Sequence, residues 1–129
     1  MRTNLITVAL AALALSICAC SSTQPASDGK PEVKTHRVTG EVSTLLNTGL
    51  DNAYNAAVNA VKDDLQFTVE SSTKDALIGV VKARTAQNKL VTVTLTKKSD
   101  SITGLAVSAG AFDSSIAKAT ADKIIARTN

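Results

Sequence analysis

Apolar residues follow several different periods along this chain. Over residues 5–17 they run almost unbroken, interrupted only by Thr7 and Ser16. Over residues 21–34, "SSTQPASDGKPEVK", the pattern disappears. From residue 35 to 46, Val38, Val42 and Thr44 stand among polar neighbours and predict a first strand. Leu50, Ala53, Tyr54, Ala57, Val58, Val61 and Leu65 then recur at three- and four-residue steps, which places one apolar stripe on a helix of about four turns. Next the period becomes two. Leu65, Phe67 and Val69 alternate with polar residues, "SSTKD" predicts a turn, and Leu77, Gly79, Val81 and Ala83 alternate with Ile78, Val80, Lys82 and Arg84. After "TAQNK", Val91, Val93 and Leu95 alternate with Thr92, Thr94 and Thr96, giving one apolar and one hydroxylated face. Ser99 and Asp100 connect to a last strand over residues 102–109. Asp113 is a natural N-cap for a closing helix with Ile116, Ala117, Thr120, Ala121 and Ile124 on one side.

Hairpins in succession with helices segregated to one face predict an α+β domain, β-α-β-β-β-β-α. The expected form is a curved antiparallel sheet of five strands with both helices packed on one face. The helix at residue 50 can begin from Thr48 or Gly49, and Asp51 suits the positive end of its dipole. Asp63 and Asp64 oppose the carbonyl end and help stop it. At 129 residues the chain has room for one such domain and its flanking segments.

The apolar run at residues 5–17 follows Arg2 and precedes small residues, the three-part form of an export signal. It falls short of the roughly 20 residues a membrane-crossing helix needs. Ile17-Cys18-Ala19-Cys20 fits the lipobox of a bacterial lipoprotein, with Cys20 as the lipid-attachment residue. The register ending at Cys18 would place Ile17 where the signal peptidase requires a small side chain. Cys18, in the second position of the box, is unusual but small. The division expected is therefore a signal peptide at residues 1–19, an acylated Cys20 and flexible tether at 20–35, and the domain at 36–129. Ser21, rather than aspartate, after the cysteine points to the outer membrane, with the domain facing the periplasm.

Cleavage before Cys20 removes Cys18 and converts the other sulfur to a thioether, so no thiol is left for a disulfide, a nucleophile or a thiolate metal site. His36 is the only histidine, and no second imidazole can complete a metal site or a catalytic triad. Asp63 and Asp64, adjacent on a helix, point apart. With Tyr54, Phe67 and Phe112 as the only aromatics, a stacking platform is hard to build. No phosphate loop, nucleophile elbow or zinc-protease helix occurs. The formal charge of +3 is too small and too dispersed to imply nucleic acid. The expectation is a protein without catalytic residues, metal or cofactor, and not an enzyme.

The stretches "GEV…GLDNAYNAAVNAVKDDLQFTVESSTKDALIGVVKART…VTVTL…GAFDSSIAKATADKI" resemble a family of small bacterial lipoproteins known only as a domain of unknown function, over residues 39–129. The resemblance rests most on the helix start at Leu50-Asp51, the "TKDAL" turn and the Phe112-Asp113 start of the last helix. It implies a helix-grip or TATA-binding-protein-like fold, also found in an accessory lipoprotein of the outer-membrane β-barrel assembly machine. The chain departs from the pattern around Phe112, where a further glycine is expected before the acid, and at Ile78 and Val80, where small or charged residues are commoner.

Two functions of different kinds follow as expectations. In the first, a membrane-anchored, non-enzymatic module binds an envelope protein or cell-wall partner through Ile78 and Val80, rimmed by Lys82, Arg84 and Lys89. Cover by the helices would make that strip core instead. In the second, a carrier holds a small apolar or lipid ligand between the sheet and the helix of Tyr54 and Val58, in a space left by Ala53, Ala57, Gly79 and Ala83. Those small residues serve equally well for close helix-to-sheet packing.

Overall fold

The computed structural model describes residues 34–36 and 39–129; the expected export signal, Cys20 and the expected tether up to residue 33 lie outside the described residues. The chain forms strands β1 (Lys34–His36) and β2 (Glu41–Leu46), helix α1 (Leu50–Asn59), strands β3 (Thr68–Lys74), β4 (Ile78–Arg84), β5 (Leu90–Lys97) and β6 (Thr103–Ser108), and helix α2 (Ser114–Thr128). It is an α+β fold. The five strands that the pattern predicts pair antiparallel in an open sheet, and the short β1 extends one edge, giving the order β1-β2-β6-β5-β4-β3.

Strict alternation gives this sheet two unlike faces. Val42 and Leu46 of β2, Val81 and Ala83 of β4, Val91, Val93 and Leu95 of β5, and Leu105 and Val107 of β6 all point to one side and are buried. There they meet α1, which lies against β4 and β5, and α2, which lies against β2 and β6. The helices contribute Ala53, Ala57, Ala117, Ala121 and Ile124, all fully buried. Fully buried Leu46, Leu95, Leu105 and Ile124 each stabilise the fold by about 1.5–3 kcal/mol on leaving water. Buried hydroxyls in this layer are satisfied: Thr103 Oγ1 donates to the Thr48 carbonyl at 2.9 Å and Thr120 Oγ1 to the Ile116 carbonyl at 2.8 Å.

The structure corrects several boundaries. Residues 35–46 are not one strand but a hairpin, because the chain reverses at Gly40, whose φ of +64° belongs to the left-handed region. A Cβ there would lie 2.6 Å from the Gly110 carbonyl oxygen, so the turn packs against the start of α2 only without a side chain. "SSTKD" is not a turn: Ser71–Lys74 continue β3 past a bulge between Val69 and Ser71, and the reversal comes at Asp75, whose carboxylate accepts from the Leu77 and Ile78 amides at 2.7 Å each. The first helix does not hold its α period to Leu65; over Ala60–Asp64 it widens so that the Leu65 amide reaches back to Ala60. Asp64 is neutralised at this helix end by Arg127 of α2, through Nε–Oδ2 and Nη2–Oδ1 contacts of 2.7 and 2.9 Å. Asp113 holds the N-cap position of α2 but makes no capping bond with its side chain; its carboxylate pairs with Lys89.

Candidate binding surface

Among the described residues, no helix covers the other side of the sheet. Register assigns its residues to rows running across four strands. Leu45, Gly104, Thr96 and Ile78 form one row; Ser43, Ala106, Thr94 and Val80 the next; Glu41, Ser108, Thr92 and Lys82 the third. Each row has small or hydroxylated residues on β6 and β5, with larger ones on β4 and, except at Ser43, on β2. The outcome is a shallow depression of about 360 Å³ with Gly104, Ala106, Thr94 and Thr96 on its floor and Leu45, Lys34 and Lys98 at its sides. The Lys98 stem lies close over Gly104, where a Cβ would be 3.1 Å from its Cε.

The sequence-derived strip divides here. Ile78, Val80, Lys82 and Arg84 all lie on the helix-free face of β4, with Ile78 43% exposed. Neither α1 nor α2 covers them. Lys89 is not brought to the strip; it sits in the β4–β5 turn and turns toward Asp113. Arg84 is on the face but already engaged, pairing with Glu70 and donating from Nη1 to the Asn88 carbonyl and side chain at 3.3 Å. Lys82 is exposed and in no ion pair among the described residues. Positive charge therefore reaches this face mainly through Lys82, Lys98 and Lys34 rather than through Arg84 and Lys89.

Leu45, 53% exposed, belongs to the same surface and was not singled out from the sequence. Its signal was there in Leu45-Leu46: neighbours in a strand face opposite ways, so one leucine of the pair must leave the core. The depression on β6 and β5 was not legible, since Gly104 and Ala106 acquire meaning only beside Leu45 and Lys98. His36 contributes the β1 backbone position opposite Glu41.

The small residues considered for a ligand space have another role. The Tyr54 ring fills the room above Gly79, where a Cβ would come within 2.8 Å of Cδ2, and Ala53 and Ala57 are buried against the sheet. Lys74 caps the same ring, its Nζ 5.7 Å from the centroid, and pairs with Asp51, holding that carboxyl below its usual range. Among the described residues no group of three or more His, Cys, Asp or Glu side chains is placed to hold a metal ion, and no helix is long and apolar enough to cross a membrane.

Comparison with curated proteins gives no match. The family comparison reaches further toward the N-terminus than the resemblance seen from residue 39. Its match, to the family described as "Protein of unknown function (DUF3568)", spans residues 4–127, and the chain belongs to that family.

Proposed function

We propose that this chain is a lipoprotein of the bacterial outer membrane, anchored through Cys20 with its domain facing the periplasm, and that the domain is a non-enzymatic module that binds a protein of the envelope through its helix-free sheet face. The lipobox and the polar tether support the anchor. The observation that carries the binding role is the exposure of Leu45 and Ile78, with half-buried Val80, on one face with Lys82, which is exposed and in no ion pair among the described residues. Aliphatic side chains on an uncovered sheet face gain by leaving water, and a polar surround restricts which partner can cover them.

Photo-crosslinking residues placed at Ile78 or Val80 in the intact envelope should yield a discrete protein adduct. Ile78→Thr with Val80→Thr should abolish adduct formation from position 45 while the thermal unfolding transition is retained. Absence of any adduct from positions 45, 78 and 80 refutes the binding role. The anchor is tested separately: Cys20→Ser should move the protein from the membrane to the soluble fraction, and membrane retention of that variant refutes lipid attachment.

A further inference from the structure

We infer that the partner of the helix-free face is a second copy of this chain. The inference rests on the proposal that this face binds protein, and it comes from the symmetry of the rows. Place a two-fold axis parallel to the strands, between β5 and β6, midway between two sheets stacked face to face about 10 Å apart. The operation exchanges β2 with β4 of the second copy and β6 with β5, and it keeps every row at its own level. Leu45 then lies over Ile78 of the second copy, Ser43 over Val80, and Glu41 over Lys82, each twice.

Two of the three pairings are complementary in kind, and in the third the small Ser43 leaves room for Val80. Leu45 and Ile78 are exposed aliphatics that cover each other. Glu41 and Lys82 are opposite charges, neither in an ion pair among the described residues. They stand three strands apart in one copy, about 14 Å, and cannot meet within it. In the centre, Ala106 and Ser108 face Thr94 and Thr92, small against medium, while at the level of Gly104 and Thr96 the Lys98 stem must swing off Gly104 toward the rim. A tilt of about 30° between aligned sheets displaces these partners by a few ångströms, within reach of lysine and glutamate. Four strands by five residues project to roughly 300 Å², small for a specific interface, so association in the micromolar range is expected.

The test uses the full chain, extracted from the envelope in mild detergent, and sedimentation equilibrium. Wild type should show concentration-dependent dimerisation. Glu41→Lys places like charges opposite each other twice, and so does Lys82→Glu; each should weaken self-association at least tenfold. Mixed in equal amounts, the two variants should associate with each other about as well as wild type does with itself, which also shows that both are folded. The second copy is ruled out by a wild type that stays monomeric at about 100 μM, by single variants that dimerise unchanged, or by a mixture that stays monomeric. If an adduct from position 78 or 80 contains a different protein and no self-adduct forms, the second copy is wrong and the binding role stands. If no adduct of either kind forms, both fail.

Discussion

Replacing Gly79 by alanine puts a single methyl group where the Tyr54 ring now rests. The added Cβ would lie 2.8 Å from Cδ2 and 3.4 Å from Cε2 of that ring, against the 3.5–4.0 Å or so at which carbon atoms attract one another. The ring must therefore lift by about 1 Å, and it cannot do so alone. Tyr54 is carried by α1, whose neighbours Ala53 and Ala57 are fully buried, and Lys74 lies over its face. Overpacking of this order costs about 1–3 kcal/mol. Alanine offsets about 0.5–1 kcal/mol of that, the advantage it has over glycine within a strand. A net loss of about 1–2 kcal/mol is expected, seen as a fall of roughly 0.5–1 M in the urea midpoint followed by circular dichroism. A double-mutant cycle isolates the cause. In a Tyr54→Ala background the obstruction is gone, and Gly79→Ala should become neutral or stabilise by up to about 1 kcal/mol, a coupling of at least about 1 kcal/mol. Additivity of the two substitutions would show that the ring does not set the requirement for glycine, and the close-packing explanation would fall.

Phe112, 85% exposed and held at a φ of +71°, should tolerate glycine with a gain of about 1 kcal/mol, because the substitution relieves left-handed strain and removes little packing; a lower melting temperature for Phe112→Gly would contradict this. Thr103→Val leaves the Thr48 carbonyl without its 2.9 Å donor in a fully buried site and should cost about 1–2 kcal/mol in chemical unfolding. Asp64 has its carboxyl held below the ordinary value of 3.8, first by the hydrogen bond from Arg127 and then by that residue's charge, with desolvation opposing both. Because the folded value is the lower one, the stabilisation is complete above about pH 5 and is lost as pH falls through the folded value. Arg127→Gln should therefore lower the urea midpoint at pH 6, with a deficit that shrinks as pH falls below the ordinary carboxylate range; a deficit that stays constant as the solution is acidified would refute the linkage.

Periodicity exposed the parts of this fold whose burial is one-sided and continuous. The α1 stripe, the phase of β4 and β5 and the inward face of α2 were all readable because each has a single apolar side meeting a single partner layer. Misreadings cluster where tertiary contacts override local pattern. The spacing of Val38, Val42 and Thr44 keeps the same parity across Gly40, so alternation alone could not reveal the reversal at that glycine, where the Gly110 carbonyl leaves no room for a side chain. Ser71, Ser72 and Thr73 have the composition of a turn, yet they form an edge strand, where polar residues and a bulge suit a margin paired on one side only. Of the candidate surface, Ile78, Val80 and Lys82 were legible because they interrupt a solvent face at the right phase. Arg84 and Lys89 looked like free charge because Glu70 is 14 positions away and Asp113 is 24, distances at which a sequence shows no pairing.

Strand order also dictates when this fold can be completed. The inner neighbour of β2 is β6, so Glu41 and Leu46 wait for Ser108 and Thr103, more than fifty residues later in the chain. A polypeptide made or threaded from its N-terminus therefore presents its early apolar strand without a lasting mate until almost the whole length has emerged. Closing so long a loop is slow, and truncation anywhere before residue 103 would deny β2 its only inner partner.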